Sequence, residues 1–218
     1  MLAVIHSYTH DEKSTSSTFS KWRERKVFLF MFSKSYWKSS ADNLKNVRML
    51  AFIALMIALK IVIGFIRIPV GENLRITLTY IVVAIEGMVV GPVAGITSAF
   101  ITDNLSFILF PDGAYFPGYT LTAMLGSFFY SIFLYQKKIT WTRITFAKIC
   151  NNYLVNVLLG SLWSSMLYGK AYLVYATTSL IKNTLLLPIE ILLLMISIRF
   201  IYPILKNKNL VNLSQDQI

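Results

Sequence analysis

Residues 49–66 read "MLAFIALMIALKIVIGFI", a run of eighteen residues with one charge, Lys60. A helix needs about 20 predominantly apolar residues, or slightly fewer, to cross the hydrocarbon core of a bilayer. Comparable runs recur at 76–90, 93–110, 117–136, 144–168 and 172–203. Six runs of this kind in a chain of 218 residues, 56% hydrophobic and 14% charged, predict an all-α polytopic membrane protein with six transmembrane helices. A soluble domain carries about 25% charge, and the soluble alternative would need a core too large for a chain of this length.

The formal charge of +11 is a topology signal once its residues are located. Nine of the 21 Lys and Arg lie between Lys13 and Arg48. Lys137, Lys138 and Arg143 follow the fourth run, and Arg199, Lys206 and Lys208 flank the last one. Basic residues concentrate in cytoplasmic connections, so the N-terminus, the fourth-to-fifth loop and the C-terminus are expected inside. Both termini on one side agree with an even number of spans. The charge is not a nucleic-acid footprint.

The domain plan follows. Residues 1–46 are a polar, basic cytoplasmic segment, residues 47–206 a six-helix substrate-binding domain, and residues 207–218 a cytoplasmic tail. Residues 1–30 lack the charged n-region and long apolar h-region of a signal peptide. They are expected to be dispensable, Met31 opening a plausible shorter start. One cysteine, Cys150, cannot form an internal disulfide, and the two histidines, His6 and His10, sit in the tail. Neither a metal framework nor Cys/His catalysis is expected.

Helical periodicity places Ala51, Ala54 and Ala58 on one stripe of the first run, with Lys60 roughly opposite. Small residues four apart let another helix approach closely in lipid. An intramembrane charge normally faces the bundle interior or a cavity, which would turn the alanines outward to a partner; packing within the bundle is the alternative. At "GMVVGPVAG", residues 87–95, Pro92 is expected to end the second span near Gly91 with a tight turn into the third. Gly95, Ser98, Ala99, Thr102 and Ser106 then share a face. In the fifth run Lys148, Asn152, Asn156 and Trp163 fall on one arc at 100° per residue. In the sixth, Ser179, Asn183 and Glu190 share a face beside Lys182. These groups either point into a cavity or bond other helices, for instance Lys148 or Lys182 against Glu86 or Glu190.

The chain has no GxxxxGK[ST] for nucleotide, no HExxH, no Ser/His/Asp set and no acidic cluster of the CDP-alcohol type. It reads as a binding subunit that draws on an external energy source, not as an enzyme. With "RMLAFIALMIALKIVIG", "LRITLTYIVVAIEGMVVGPVAGITSAFITDNLSF", "PDGAYFPGYTLTAMLG" and "WSSMLYG" in view, the chain resembles the substrate-specific S components of energy-coupling factor (ECF) vitamin transporters, most closely the folate branch. The resemblance runs from about residue 34 to 206. It departs in the N-terminal extension and at Ser127 and Phe128, where a further glycine-rich step is expected.

The resemblance implies a six-helix S-component fold with a vitamin pocket near the outer surface under the first loop. It implies high-affinity folate capture and delivery inward by reorientation. The partners it implies are a transmembrane coupling protein and two cytoplasmic ATPases, which use the ATP; this chain itself holds no cofactor. The setting it implies is the plasma membrane, multi-pass, of a Gram-positive-type bacterium. Ala51, Ala54 and Ala58 become the surface that docks the coupling protein. For folate, Arg67 and Arg75 are the candidates to attract the glutamate tail. Tyr115, Phe116, Tyr119 and Trp163 are the candidates to stack on rings, and Asp112, Asn152, Asn156 and Asn183 to read the pterin edge. The rings of "FPDGAYFPGYTL", residues 110–121, serve equally as interfacial anchors. Thiamine or riboflavin in place of folate leaves the two arginines without a role. A small intramembrane enzyme acting on a lipid-linked substrate has only the scattered Glu86, Asp103 and Glu190 to work with.

Overall fold

In the computed structural model, residues 33–71, 74–111 and 115–211 are described. The chain divides into two compact units, Met1–Ser39 and Ser40–Ile218. In the first, helix α1 (Lys34–Asp42) begins, and the Tyr36 and Trp37 rings meet edge to face with centroids 6.1 Å apart.

The second unit is a helical bundle. After a single 3₁₀ turn, Asn43–Lys45, the chain enters α2 (Val47–Gly64), whose start is capped by the Asn46 side chain accepting from the Arg48 amide. An antiparallel ribbon of β1 (Arg67–Gly71) and β2 (Leu74–Thr77) follows. Its register sets Arg67 opposite Thr77 and Pro69 opposite Arg75. Then come α3 (Thr79–Leu109) and α4 (Pro117–Leu134), the second with Pro117 in its first turn, where the missing N–H is harmless. The fifth apolar run forms one continuous helix in three parts: α5 (Trp141–Cys150), a π-helical stretch (Asn151–Leu159) and α6 (Gly160–Tyr168). Gly169, in the left-handed conformation, terminates it. The last helix, α7 (Tyr172–Asn207), would be about 54 Å long at 1.5 Å per residue.

Among the described residues, α2, α3 and α7 are each long and apolar enough to cross a membrane. The expectation of a purely helical chain meets one exception, the short ribbon, where the sequence alone suggested an irregular loop. "RIPVG" and "LRIT" are rich in β-branched residues, and a connection between two helix ends can satisfy its backbone by pairing with itself.

The break near Gly91 is as expected, and its chemistry is visible. Gly91 has φ 80° and ψ −176°, so α3 is two limbs, residues 79–90 and 92–109. Pro92 removes the amide that would continue the first limb. Ser40 mends the junction. Its hydroxyl donates to the Val90 carbonyl at 2.9 Å and accepts from the amides of Val93 at 2.9 Å and Ala94 at 3.3 Å. Asn43 Nδ2 donates to the same carbonyl at 3.0 Å. The two limbs of α3 pack on α4 through small residues. A Cβ on Gly87 would lie 2.7 Å from Ser131 Oγ, and one on Gly95 would lie 2.8 Å from Ser127 Oγ. The core beneath is formed by Met88, Val90, Tyr130, Leu134, Ile144, Leu194 and Ile198.

Gly91→Ala would force an L residue into this conformation, with its Cβ 2.7 Å from Ser40 Oγ and 2.8 Å from the Tyr135 ring. The backbone strain alone is worth about 1–3 kcal/mol. Ser40→Ala removes the cap, at about 1–2 kcal/mol. Thermal unfolding of the detergent-solubilised protein should show a lower midpoint for both, lower for Gly91→Ala. An unchanged midpoint for Gly91→Ala would refute this account of the kink.

Candidate ligand-binding cavity

The ends of α2, β2, the second limb of α3, the start of α4, the end of α6 and the start of α7 all lie at one end of the bundle, as alternating chain direction requires. A cavity of about 550 Å³ opens among them and extends between α4, α5, α6 and α7. Gly64, Thr77 and Thr79 line it, so the base of the ribbon borders it.

Toward the ribbon end the wall is hydroxyl-rich. Tyr119 shares a hydrogen bond with Ser164 at 3.1 Å, and both line the cavity. Asp103 accepts from the Thr120 hydroxyl at 2.6 Å. Asn183, 3% exposed, donates to the carbonyl and hydroxyl of Ser179 at 2.8 and 3.1 Å. Asn156 lines the cavity as well, and its carbonyl faces Ser179 Oγ at 3.5 Å.

Two buried ion pairs bound the site. Lys60 donates to Glu86 at 2.7 Å and to Ser98 at 2.9 Å, while Ser98 donates to the other Glu86 oxygen at 2.5 Å. This closed ring joins α2 to both limbs of α3. Further along, Lys148 lies 3.2 Å from Glu190 Oε2, the oxygen that also accepts from Asn152 Nδ2 at 2.8 Å. The Lys148 ammonium sits 3.6 Å from the centre of the Tyr80 ring, a cation–π contact. Four cavity-lining residues, Tyr80, Ser127, Tyr130 and Ser161, carry buried hydroxyls with no hydrogen-bond partner among the described residues. Unpaired buried hydroxyls are rare in folded proteins, so these four mark where a polar ligand would gain most.

The residues expected from sequence divide by this geometry. Tyr119, Asn156 and Asn183 line the cavity. Asn152 is fully buried behind it, holding Glu190. Trp163 donates to Thr122 at 3.0 Å and meets the Phe116 ring at a tilt of 52°, with centroids 5.6 Å apart, so these two rings brace the wall from outside. Tyr115 is 45% exposed and donates to Asn104 at 2.9 Å. Asp112 lies outside the described residues, as do the side chains of Arg67 and Arg75. Ala51, Ala54 and Ala58 are exposed, whereas Lys60 is 3% exposed.

The arc drawn through Lys148, Asn152, Asn156 and Trp163 assumed α-helical winding. The π stretch overturns that register. With i→i+5 hydrogen bonds, residues five apart share a face, and Asn151, Asn156 and Ser161 all line the cavity. The five-residue spacing of these polar residues was the available signal. Asn151 also donates to the Gly126 carbonyl at 3.0 Å, tying the π stretch to α4. Tyr80, Ser127 and Tyr130 carried no periodic signal, being single polar atoms on apolar faces.

A family model described as "ECF transporter, substrate-specific component" matches residues 48–198. The chain is 38% identical over 148 residues to the folate transporter FolT of Clostridium novyi (strain NT), a match covering 67% of this chain and 86% of that protein. It is 28% identical over 153 residues to the folate transporter FolT of Leuconostoc mesenteroides subsp. mesenteroides, covering 67% of this chain and 82% of that protein. Among solved structures, a FolT bound with folic acid superposes with a TM-score of 0.65 at 30% identity, covering 69% of this chain and 92% of the other. An S component for biotin from an ECF-type ABC transporter shares the fold, with a TM-score of 0.59 at 22% identity over 75% of this chain and 94% of the other.

The Lys60–Glu86 pair yields a stability test. Lys60→Met leaves the Glu86 carboxylate buried without its cation, which should lower stability by about 3–5 kcal/mol. Replacing both residues by Met should recover most of that loss in detergent unfolding. A double variant as unstable as the sum of the single ones would show that the pair is not energetically coupled.

Proposed function

This chain belongs to the family of ECF transporter substrate-specific components, and from that premise we propose that it is a folate-binding membrane subunit, taking folate into the cavity beneath the ribbon. The observation that carries the ligand assignment is the 38% identity, over 86% of its length, to a folate transporter. The cavity suits such a ligand. Its volume lies within the 300–1,000 Å³ typical of small-molecule sites. Folate is a long molecule with a heteroaromatic head, an aromatic middle and an anionic tail; the cavity combines tyrosine rings, asparagine amides and free hydroxyls. Arg67 and Arg75 stand on the ribbon at its border, where two cationic residues suit the dicarboxylate tail.

Uptake requires energy, and the sequence has no nucleotide-binding motif of its own. In this reading a transmembrane coupling protein and two cytoplasmic ATPases drive the loaded subunit to expose its cavity inward. The chain is a multi-pass plasma-membrane subunit of a Gram-positive-type bacterium and performs no chemistry on its ligand. The exposed stripe of Ala51, Ala54 and Ala58 on α2 is the surface that docks the coupling protein, because small side chains permit close helix approach in lipid.

Purified protein in detergent should bind folic acid without ATP, with a Kd below about 1 µM, measured by quenching of tryptophan fluorescence or by calorimetry. Excess thiamine or riboflavin should not displace it. Folded protein that binds no folic acid would overturn the assignment. Replacing Ala54 and Ala58 with Trp should abolish folate uptake in membranes containing the full complex while leaving folic acid affinity within about twofold, a difference of under about half a kcal/mol. Loss of binding in that variant would instead identify the stripe as internal packing.

A further inference from the structure

The turn between α4 and α5 carries two cations that the fold treats differently. Gln136, at φ 53°, turns the chain out of α4. Lys137 follows, 6% exposed, and its ammonium donates to the Ile132 carbonyl in the last turn of α4. A cation suits that end of a helix. Arg143 stands in the first turn of α5, where its charge meets the positive end of the helix dipole. No acidic residue offsets it in that turn, and Thr140 makes no side-chain cap to the amides beside it. Thr140 and Thr142 instead share a hydrogen bond with each other at 3.2 Å.

Lys137 and Arg143 stand close enough to oppose each other: burial and the Arg143 charge bring the Lys137 ammonium down to about 8. Among the described residues neither is paired with a carboxylate, and Arg143 Nη1 is buried with no hydrogen-bond partner. The neighbouring helices have no counter-charge to give. Residues 113–189 contain no Asp or Glu. Glu190 is engaged by Lys148 and Asn152. Asp42, next to the Asn43 that meets Tyr135 at this end of the bundle, pairs with Lys45 at 3.3 Å. A guanidinium is a planar fork of five donors that fits a phosphate or a carboxylate. For Arg143 that anion has to come from outside these helices.

The surroundings of Arg143 favour a lipid as the source. The turn lies at the end of the bundle opposite the ribbon, between the apolar runs 117–136 and 144–168, which places it at headgroup depth. Trp141 is 50% exposed and Phe146 59%, the second one helical turn on from Arg143 and on the same side of α5. Aromatic side chains gather at that depth, and basic pockets between transmembrane helices hold anionic headgroups there. A soluble anion would use the charge alone, whereas a lipid also covers the exposed rings. We propose that the α4–α5 turn is a binding site for the phosphate headgroup of an anionic phospholipid, in the leaflet at the end opposite the ribbon. Arg143 binds the phosphate directly, Lys137 adds charge from behind, and Trp141 and Phe146 lie along the acyl chains. Bound lipid relieves the repulsion between the two cations and so steadies the turn from which α5 runs to the cavity.

Titration of the detergent-solubilised full chain with phosphatidylglycerol, read by native mass spectrometry, tests this. One phosphatidylglycerol should bind at least about tenfold more tightly than phosphatidylcholine. Glycerol phosphate at about hundredfold excess should not displace it; displacement would overturn the lipid source in favour of a soluble phosphate. Arg143→Gln should weaken phosphatidylglycerol binding about tenfold, and Lys137→Met by a smaller factor. Lys138→Gln removes the same charge from the exposed neighbouring position and should change binding by less than about twofold. Equal losses for Arg143→Gln and Lys138→Gln would overturn the proposal, since the lipid would then be answering net charge alone. Each variant is compared as a folded monodisperse species. If Arg143→Gln does not fold, the unaltered protein decides: equal affinity for the two lipids would overturn the proposal.

Discussion

A lysine in the middle of an apolar helix constrains everything around it. Leaving the Lys60 ammonium in hydrocarbon would cost several kcal/mol, and the fold avoids this by closing a ring with Glu86 and Ser98. Glu86 lies on the first limb of α3 and Ser98 on the second, so three helical segments meet at one point. The rotation of α2 is thereby set. Ala51, Ala54 and Ala58 lie roughly 180–240° from Lys60 at 100° per residue, and with the lysine inside they can only face out. A buried charge pair seldom adds net stability over an apolar substitute. What this one supplies is orientation: it gives α2 one polar edge on the cavity and one small-residue edge on the surroundings.

The hinge between the limbs of α3 explains why there is a cavity to border. Residues 79–90 make a helix about 18 Å long and residues 92–109 one about 27 Å long, at 1.5 Å per residue. Both start from the Gly91 turn, so the first limb falls about 9 Å short at the ribbon end. The ribbon occupies this region, and Thr77 and Thr79 face the cavity there. Ser40 and Asn43 satisfy the backbone exposed at the kink, and a second contact from Asn43 to the Tyr135 hydroxyl at 3.4 Å ties in the end of α4. The glycines that let α3 lie against α4 make this half of the bundle its tightest part.

Much of this was legible in the sequence, and the remainder failed for identifiable reasons. Apolar run length located the helices, since hydrocarbon thickness imposes a length. Gly91 and Pro92 announced the kink, because no other residue pair combines left-handed freedom with a missing amide. The inward lysine and outward alanines followed from the cost of burying charge. The winding of the fifth helix did not follow. A helical wheel presumes 100° per residue, and nine residues of π-helix rotate every later position; Asn152 moved behind the cavity and Asn151 into it. The ribbon was hidden because its strands are only five and four residues long. Tyr80 and Tyr130 were hidden because tyrosine is as common in an apolar core or at a membrane interface as in a site. Only the accounting of hydrogen bonds singles them out.

That accounting also separates glue from site among the polar groups of the membrane helices. Tyr153 meets Thr184 at 3.0 Å, Trp163 meets Thr122 at 3.0 Å, and Asn152 meets Glu190 at 2.8 Å. These close on each other and fasten one helix to the next. Tyr80, Ser127, Tyr130 and Ser161 close on nothing described, yet all four line one cavity. An unsatisfied buried hydroxyl costs about 1–3 kcal/mol, so four of them around one cavity mark where a polar ligand would recover hydrogen bonds. The same groups would make the cavity selective. A ligand that pairs them recovers their hydrogen bonds, while one of similar shape lacking those partners leaves them desolvated and unpaired, a penalty that discriminates more sharply than a misplaced methyl group. Selectivity would then reside in these hydroxyls, and affinity in the rings and volume around them.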